Sequence, residues 1–192
     1  MNNTPNQNLQ EACISSKLVY DGEVVHLYVD KVRLPDGADS IREYVRHIGA
    51  VAVLPLTDEG EVICVRQYRY AHGCLMTEIP AGKLDSKTED HVEAALRELR
   101  EETGARCKTL TYLGLYRSTP AILDEKIDLY LAEGLTFGET DLDDDEFLES
   151  FRIPLSVLVD QVLAGKITDG KTQVAVLKTN EILRRRVAEQ KG

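Results

Sequence analysis

Between Gly49 and Leu56 the chain reads GAVAVLPL, an uncharged run rich in valine. It is too short for a helix, and without polar alternation it predicts a strand buried on both faces. EVICVRQYRY, Glu61 to Tyr70, follows the turn Asp58-Glu59-Gly60 and is expected to be its partner. Upstream, from Ile14 to Arg46, apolar and polar residues alternate, with Asp21-Gly22 and Asp36-Gly37 as turn signals, so this segment is expected to be β-rich. Downstream, Ser86 with Glu89 fits a capping box that starts a helix near Lys87. Val92, Ala95, Leu96 and Leu99 give that helix an apolar stripe, and Gly104 stands where a C-terminal cap belongs. Further strands are expected around Lys108–Tyr116, Ile127–Gly134 and Phe147–Ile153, and helices near Ser156–Ala164 and Lys171–Glu189. A mixed sheet flanked by helices, an α/β class, is the simplest architecture.

The 192 residues suit one domain, or one domain with an accessory strand layer, and 43% hydrophobic residues are enough for a real core. We expect a loose tail over residues 1–12, a β-rich segment over 13–48 and the main domain over 49–192. The net charge is −10, with no basic block larger than Arg184-Arg185-Arg186. That argues against long nucleic acid as a partner, while a small anionic substrate remains open if metal cations mediate the contact. Cys13, Cys64, Cys74 and Cys107 show no CxxC spacing, and there is no secretory apolar segment, so reduced thiols and a cytoplasmic location are expected. No apolar run approaches the ~20 residues of a membrane span.

The acids of the predicted helix carry the chemistry. Glu98 and Glu102 are four apart and Glu101 is three from Glu98, so all three project from one face with Cβ atoms ~5–6 Å apart. Arg97 is four residues from both Glu93 and Glu101 and is expected to brace them. Like charges at this spacing destabilise a helix by ~0.2–0.5 kcal/mol per pair unless something compensates. Hard cations such as Mg²⁺ bind oxygen clusters of this kind and bridge them to substrate phosphates. A solvated charged face is the alternative. The neighbouring Pro80-Ala81-Gly82 turn favours the metal, because it offers a backbone carbonyl and its glycine lets the backbone come close.

Gly82, Glu89, Arg97, Glu98, Leu99, Glu101, Glu102, Gly104 and Ala105 together resemble the Nudix box. The match is complete from Glu89 onward, while the spacer between Gly82 and Glu89 is one residue longer than the family pattern. The resemblance implies a Nudix-type α/β/α sandwich with a mixed sheet. It also implies hydrolysis of a nucleoside diphosphate linked to a second group, using Mg²⁺ or Mn²⁺ with more than one ion per site. By position, Ala81 (through its carbonyl), Glu98 and Glu102 resemble the metal ligands, with Glu101 close behind. Arg97 resembles the residue that orients the glutamates.

Within that family the similarity is to ADP-ribose pyrophosphatases. Pro120 stands where ADP-ribose-cleaving members carry proline, and Glu125 matches an acid of the same loop, although Ala121 replaces a common glycine. Arg42 and Arg69 match positions that hold substrate phosphate or ribose, and each also reads as a surface strand arginine. Glu78 reads either as a group orienting ligand or a metal water, or as a structural hydrogen-bond acceptor. In the acidic loop ETDLDDDE, Asp144 and Glu146 align with a carboxylate pair that supplies a water-activating base and a further metal contact. Asp144 is one methylene shorter than the usual glutamate, so Asp143, Asp145, Glu149 or Glu101 are alternative bases. The segment 13–48 resembles one that packs across a homodimer. The expected reaction converts ADP-ribose and water to AMP and ribose 5-phosphate. The alternatives are an NDP-sugar such as GDP-mannose as substrate, or a non-catalytic ADP-ribose-binding module.

Overall fold

The computed structural model describes residues 9–142 and 147–190; Asp144 and Glu146 lie outside the described residues. The chain forms two compact units. One holds the chain up to His47 together with Thr119–Glu125, and the other holds Ile48–Ser118 together with Lys126 onward.

In the first unit β1 (Ala12–Asp21), β2 (His26–Arg33) and β3 (Asp39–Arg46) form an antiparallel meander. The Asp21-Gly22 corner closes with the Gly22 N–H on the Val25 carbonyl at 2.9 Å, and Gly37 takes the positive φ of 88° that the second turn requires. Strand β1 has no buried residue and leaves Ile14, Leu18, Val19 and Tyr20 exposed. The loop Thr119–Glu125 folds onto the end of β3. There the Val45 N–H donates to Ile122 O at 2.8 Å, the Asp124 N–H to Val45 O at 3.1 Å, and the His47 N–H to the Asp124 carboxylate at 2.7 Å.

The second unit runs, in chain order, through β4 (Ala50–Pro55), β5 (Glu61–Arg69), β6 (Cys74–Glu78), β7 (Ala81–Lys83) and α1 (His91–Thr103). It continues with β8 (Ala105–Arg106), β9 (Thr109–Tyr116), β10 (Ile127–Glu133), β11 (Thr136–Phe137) and β12 (Leu148–Pro154), then α2 (Leu155–Leu163) and α3 (Gly170–Glu189). Strand β4 is buried along its whole length at the heart of a mixed sheet ordered β7-β4-β10-β9, antiparallel to β7 and parallel to β10. Its residues alternate between two cores. Val51 and Val53 pack with Ala94, Ala95 and Leu99 of α1, while Ala52 and Leu54 pack with Leu158 of α2 and Val176 of α3. Burying each of the larger side chains contributes about 1.5–3 kcal/mol. The result is an α/β/α sandwich.

Two expectations fail, each for a physical reason. Strand β5 is not the ladder partner of β4. It pairs with β12 and β6 in a separate antiparallel sheet and meets β4 through the bridge Leu56↔Val62. A strand buried on both faces sits in the centre, and β10 with β7 takes the two sides. The helix also starts later than the Ser86/Glu89 pattern implies. Asp90 is the N-cap, its carboxylate accepting from the Val92 and Glu93 N–H groups at 2.8 and 3.1 Å. The stripe shifts accordingly: Val92 and Leu96 are exposed, whereas Glu98 and Glu102 join Ala94, Ala95 and Leu99 in the buried set. Downstream, β9, β10, β12, α2 and α3 fall within one residue of expectation.

Gly104 ends α1 at φ 67°, its N–H bonding to Arg100 O at 2.8 Å. A Cβ there would collide with the main-chain oxygen of Gly138. Gly104→Ala therefore adds a clash to left-handed strain and is expected to cost about 1–3 kcal/mol. Calorimetry should show this as a fall of several degrees in Tm; an unchanged Tm would contradict the close approach. No helix among the described residues is long and apolar enough to cross a membrane. All four cysteines are unpaired.

Candidate active site

Strand β6 leads into a turn in which each successive residue is held by a different partner. The Glu78 carboxylate meets Arg69 and Lys171. The Ile79 N–H donates to Thr172 Oγ1 at 2.9 Å, and Pro80 O accepts from the Val53 N–H at 2.9 Å. The Ala81 N–H donates to Glu102 Oε2 at 3.3 Å. A strand residue sends its N–H and C=O to the same side, so the Ala81 carbonyl also faces α1 rather than the β4 ladder. A Cβ at Gly82 would overlap the Glu98 carboxylate, so glycine is required for that side chain to lie against the turn.

Glu98 and Glu102 are 7% and 1% exposed, an unusual burial for two carboxylates one helical turn apart. With the Ala81 oxygen they would offer a cation an all-oxygen donor set. Among the described residues no three acidic, histidine or cysteine side chains make a ready cage. A hard divalent cation takes one or two carboxylates and leaves its other positions to water and substrate phosphates. The residues present fit a divalent cation.

Arg97 is the hub beside this set. Its Nη1 donates to Glu98 at 2.6 Å and Glu101 at 3.2 Å; its Nη2 donates to Lys83 O and Glu89, each at 3.2 Å. Asp85 lies 3.5 Å from its Nε. Glu93, which Arg97 is expected to brace, is replaced as its partner by Glu89, which the loop before α1 brings against the guanidinium. Burial opposes the charge of Arg97, but Glu98, Asp85 and Glu89 outweigh it and keep the guanidinium protonated. Glu101 is gripped twice, by Arg97 and by Arg100 Nη2 at 3.1 Å. The stem of the acidic loop is tied to the same helix: the Asp141 N–H donates to Glu101 O at 3.0 Å, and Arg100 Nη1 lies 3.3 Å from Asp141.

Behind the turn lies an ionic network that local sequence patterns do not reveal. Arg69 grips Glu78 in a fork, Nε to Oε1 and Nη2 to Oε2, both at 2.7 Å. Lys171 bonds Glu78 and, at 3.0 Å, Asp169. Asp169 caps α3 by accepting from the Thr172 N–H at 2.9 Å. Its place just before a helix is the one available sequence signal. The burial of Lys171 and its reach across 93 residues to Glu78 have none.

Burial alone would raise the Glu78 carboxyl, but the Arg69 guanidinium and the Lys171 ammonium override it and hold the group at about 2 instead of 4.5. A depressed carboxyl stabilises the fold fully above its unfolded value, and that contribution is lost as pH falls from 4.5 toward about 2. Stability of the wild type should therefore drop across this window in denaturant titrations. In Glu78→Gln the slope should flatten, and an unchanged slope would assign the acid sensitivity elsewhere.

Arg42, Pro120 and Glu125 belong to the other unit. Arg42 pairs with Glu11 and donates to Ser40 Oγ at 3.2 Å and Ile41 O at 2.9 Å. Pro120 is exposed, and Glu125 lies 3.7 Å from His47 Nδ1.

The NUDIX domain family matches residues 46–175, and the nucleoside diphosphate sugar hydrolase N-terminal domain matches residues 11–45. The chain is 42% identical over 172 residues to an ADP-ribose pyrophosphatase of Bacillus subtilis (strain 168), covering 88% of this chain and 92% of the relative. It is 43% identical over 169 residues to a methanol dehydrogenase activator of Bacillus methanolicus, covering 87% of this chain and 91% of that one. An ADP-ribose pyrophosphatase of Mycobacterium tuberculosis is 34% identical over 171 residues, covering 88% of this chain and 83% of the relative. Among solved structures, an ADP compounds hydrolase superimposes with a TM-score of 0.83 over 93% of this chain and 97% of its own, at 23% identity, a likeness of fold.

Proposed function

The chain belongs to the Nudix family and is a hydrolase of that family, and on that premise we propose that it cleaves the pyrophosphate of ADP-ribose. Water adds its oxygen to phosphorus, the bridging P–O bond breaks, and AMP and ribose 5-phosphate leave. The observation that carries the reading is the pair of buried carboxylates, Glu98 and Glu102, set against the Ala81-Gly82 turn. Glu98, Glu102 and the Ala81 carbonyl would hold divalent cations, Mg²⁺ or Mn²⁺ and more than one, which when bound would offset the pyrophosphate charge and acidify a water. Ala81, Glu98 and Glu102 are assigned as ligands and Arg97 as the group that orients them. Asp144 is assigned to activating the water, with Glu101 in reserve, and Glu146 to a further metal contact.

Arg42, Arg69, Pro120 and Glu125 are assigned to the substrate, with Glu78 acting behind Arg69. The fork to Glu78 occupies Nε and Nη2 of Arg69 and leaves Nη1 for a phosphate oxygen. The exposed apolar face of β1 supports a homodimer formed through residues 13–48, in which Arg42 serves the partner's site. Sedimentation at about 21.5 kDa with full activity would refute the dimer. Four unpaired cysteines suit a reducing compartment such as the cytoplasm.

A second reading, an NDP-sugar hydrolase, is favoured by the match of residues 11–45 to the sugar-hydrolase N-terminal domain. A panel of nucleoside diphosphate compounds with Mg²⁺, scored by nucleoside monophosphate release, separates the two. ADP-ribose should have the highest kcat/KM; a higher value for GDP-mannose would favour the second reading.

A further inference from the structure

We infer that Lys171 and Thr172, at the start of α3, are positioning residues for the cation-binding turn, acting through Glu78 and Ile79. They hold the two residues that immediately precede Pro80, and so fix where the Ala81 carbonyl lies relative to Glu98 and Glu102. The inference rests on the metal-site reading above.

The geometry supplies two independent ties from one helical turn. Lys171 is 8% exposed and its ammonium bonds Glu78, itself 1% exposed, so this is a buried charge pair rather than a surface contact. Thr172 is fully buried; its hydroxyl accepts the Ile79 N–H at 2.9 Å and donates to Asp169 at 2.5 Å. Asp169 closes the arrangement, taking Lys171 Nζ at 3.0 Å and the Thr172 N–H at 2.9 Å. Each partner thus has its direction fixed by the other. The main chain of Ile79 gains its anchor from a side chain, not from a strand, which makes it replaceable by mutation.

This assigns a role to side chains that touch neither the cation nor the substrate. The strand end could in principle be held by packing alone, since Ile79 is fully buried in the core. Packing, however, tolerates small slides, whereas a carbonyl that must sit at metal-ligand distance does not. Outer-shell groups of this kind typically account for about 10- to 100-fold in metal affinity.

The experiment measures Mn²⁺ affinity of the full chain by electron paramagnetic resonance or calorimetry, below the Tm of every variant, with Tm recorded in parallel. Thr172→Val keeps the volume and removes the hydroxyl; Thr172→Ser keeps the hydroxyl and removes the methyl. Lys171→Met removes the ammonium. We expect Thr172→Val and Lys171→Met to bind Mn²⁺ about tenfold more weakly or worse, while Thr172→Ser binds as wild type even though its Tm also falls. If Thr172→Val and Thr172→Ser lower Tm yet leave Mn²⁺ affinity unchanged, the residues are merely structural and the inference fails alone. If the wild type binds no Mn²⁺, the metal-site reading fails with it.

Discussion

Glu102→Gln is expected to reduce kcat by about 10²- to 10³-fold while leaving Tm unchanged or slightly raised. The loss corresponds to roughly 3–4 kcal/mol of transition-state stabilisation, the scale on which a catalytic metal acts. The separation of activity from stability follows from the local geometry. Glu102 is 1% exposed and accepts the Ala81 N–H at 3.3 Å through one oxygen. A glutamine carbonyl can accept that same N–H, so the turn keeps its tie to α1. What the substitution removes is charge, and one buried negative charge fewer relieves the repulsion from Glu98 one turn away. Chelation should reproduce the loss in wild type, with recovery when Mg²⁺ is restored. Full turnover in excess EDTA, or in Glu102→Gln, would remove the metal-assisted mechanism.

The helix that carries these acids also shows how far sequence reaches. Its register was readable because Glu98, Leu99, Glu101, Glu102 and Gly104 stand at fixed spacing and Gly104 marks its end. Its start was not, because Ser86/Glu89 and Asp90 are both plausible local caps, and only the course of the loop chooses Asp90. The apolar stripe misled for a related reason: Val92 and Leu96 have the composition of a buried face, but the side turned to the sheet is the one bearing the glutamates. Strand β4 was legible as buried on both faces from its own residues. Its neighbours were not, since β10 pairs with it from more than 70 residues away in sequence while β5, next in the chain, turns into another sheet. The grip of Lys171 on Glu78 belongs to the same class of fact. No periodicity encodes a contact between a strand and a helix that follows it by 93 residues.

The other large loss is expected from Asp144→Asn, by about 10²- to 10⁴-fold in kcat with little change in KM, the range typical of losing a general base. The carboxylates divide between two tasks. Glu98 and Glu102 are assigned to cations, and a metal-bound carboxylate is a poor proton acceptor. Glu101 is the remaining acid on that face, and each of its oxygens already accepts from a guanidinium, Oε1 from Arg100 and Oε2 from Arg97. The stem of the acidic loop is anchored to α1 at Asp141, whose N–H bonds the Glu101 main-chain oxygen within the helical turn that carries Glu98 and Glu102. In a locally extended chain Asp144 and Glu146 point the same way. Glu146→Gln should accordingly shift half-activation to higher Mg²⁺, whereas Asp144→Asn should not. Glu101→Gln should cost far less than Asp144→Asn, through a loosened Arg97. If Asp144→Asn instead keeps a near-wild-type rate and Glu101→Gln is inactive, the base sits on the helix, and the two arginines must release it when substrate binds.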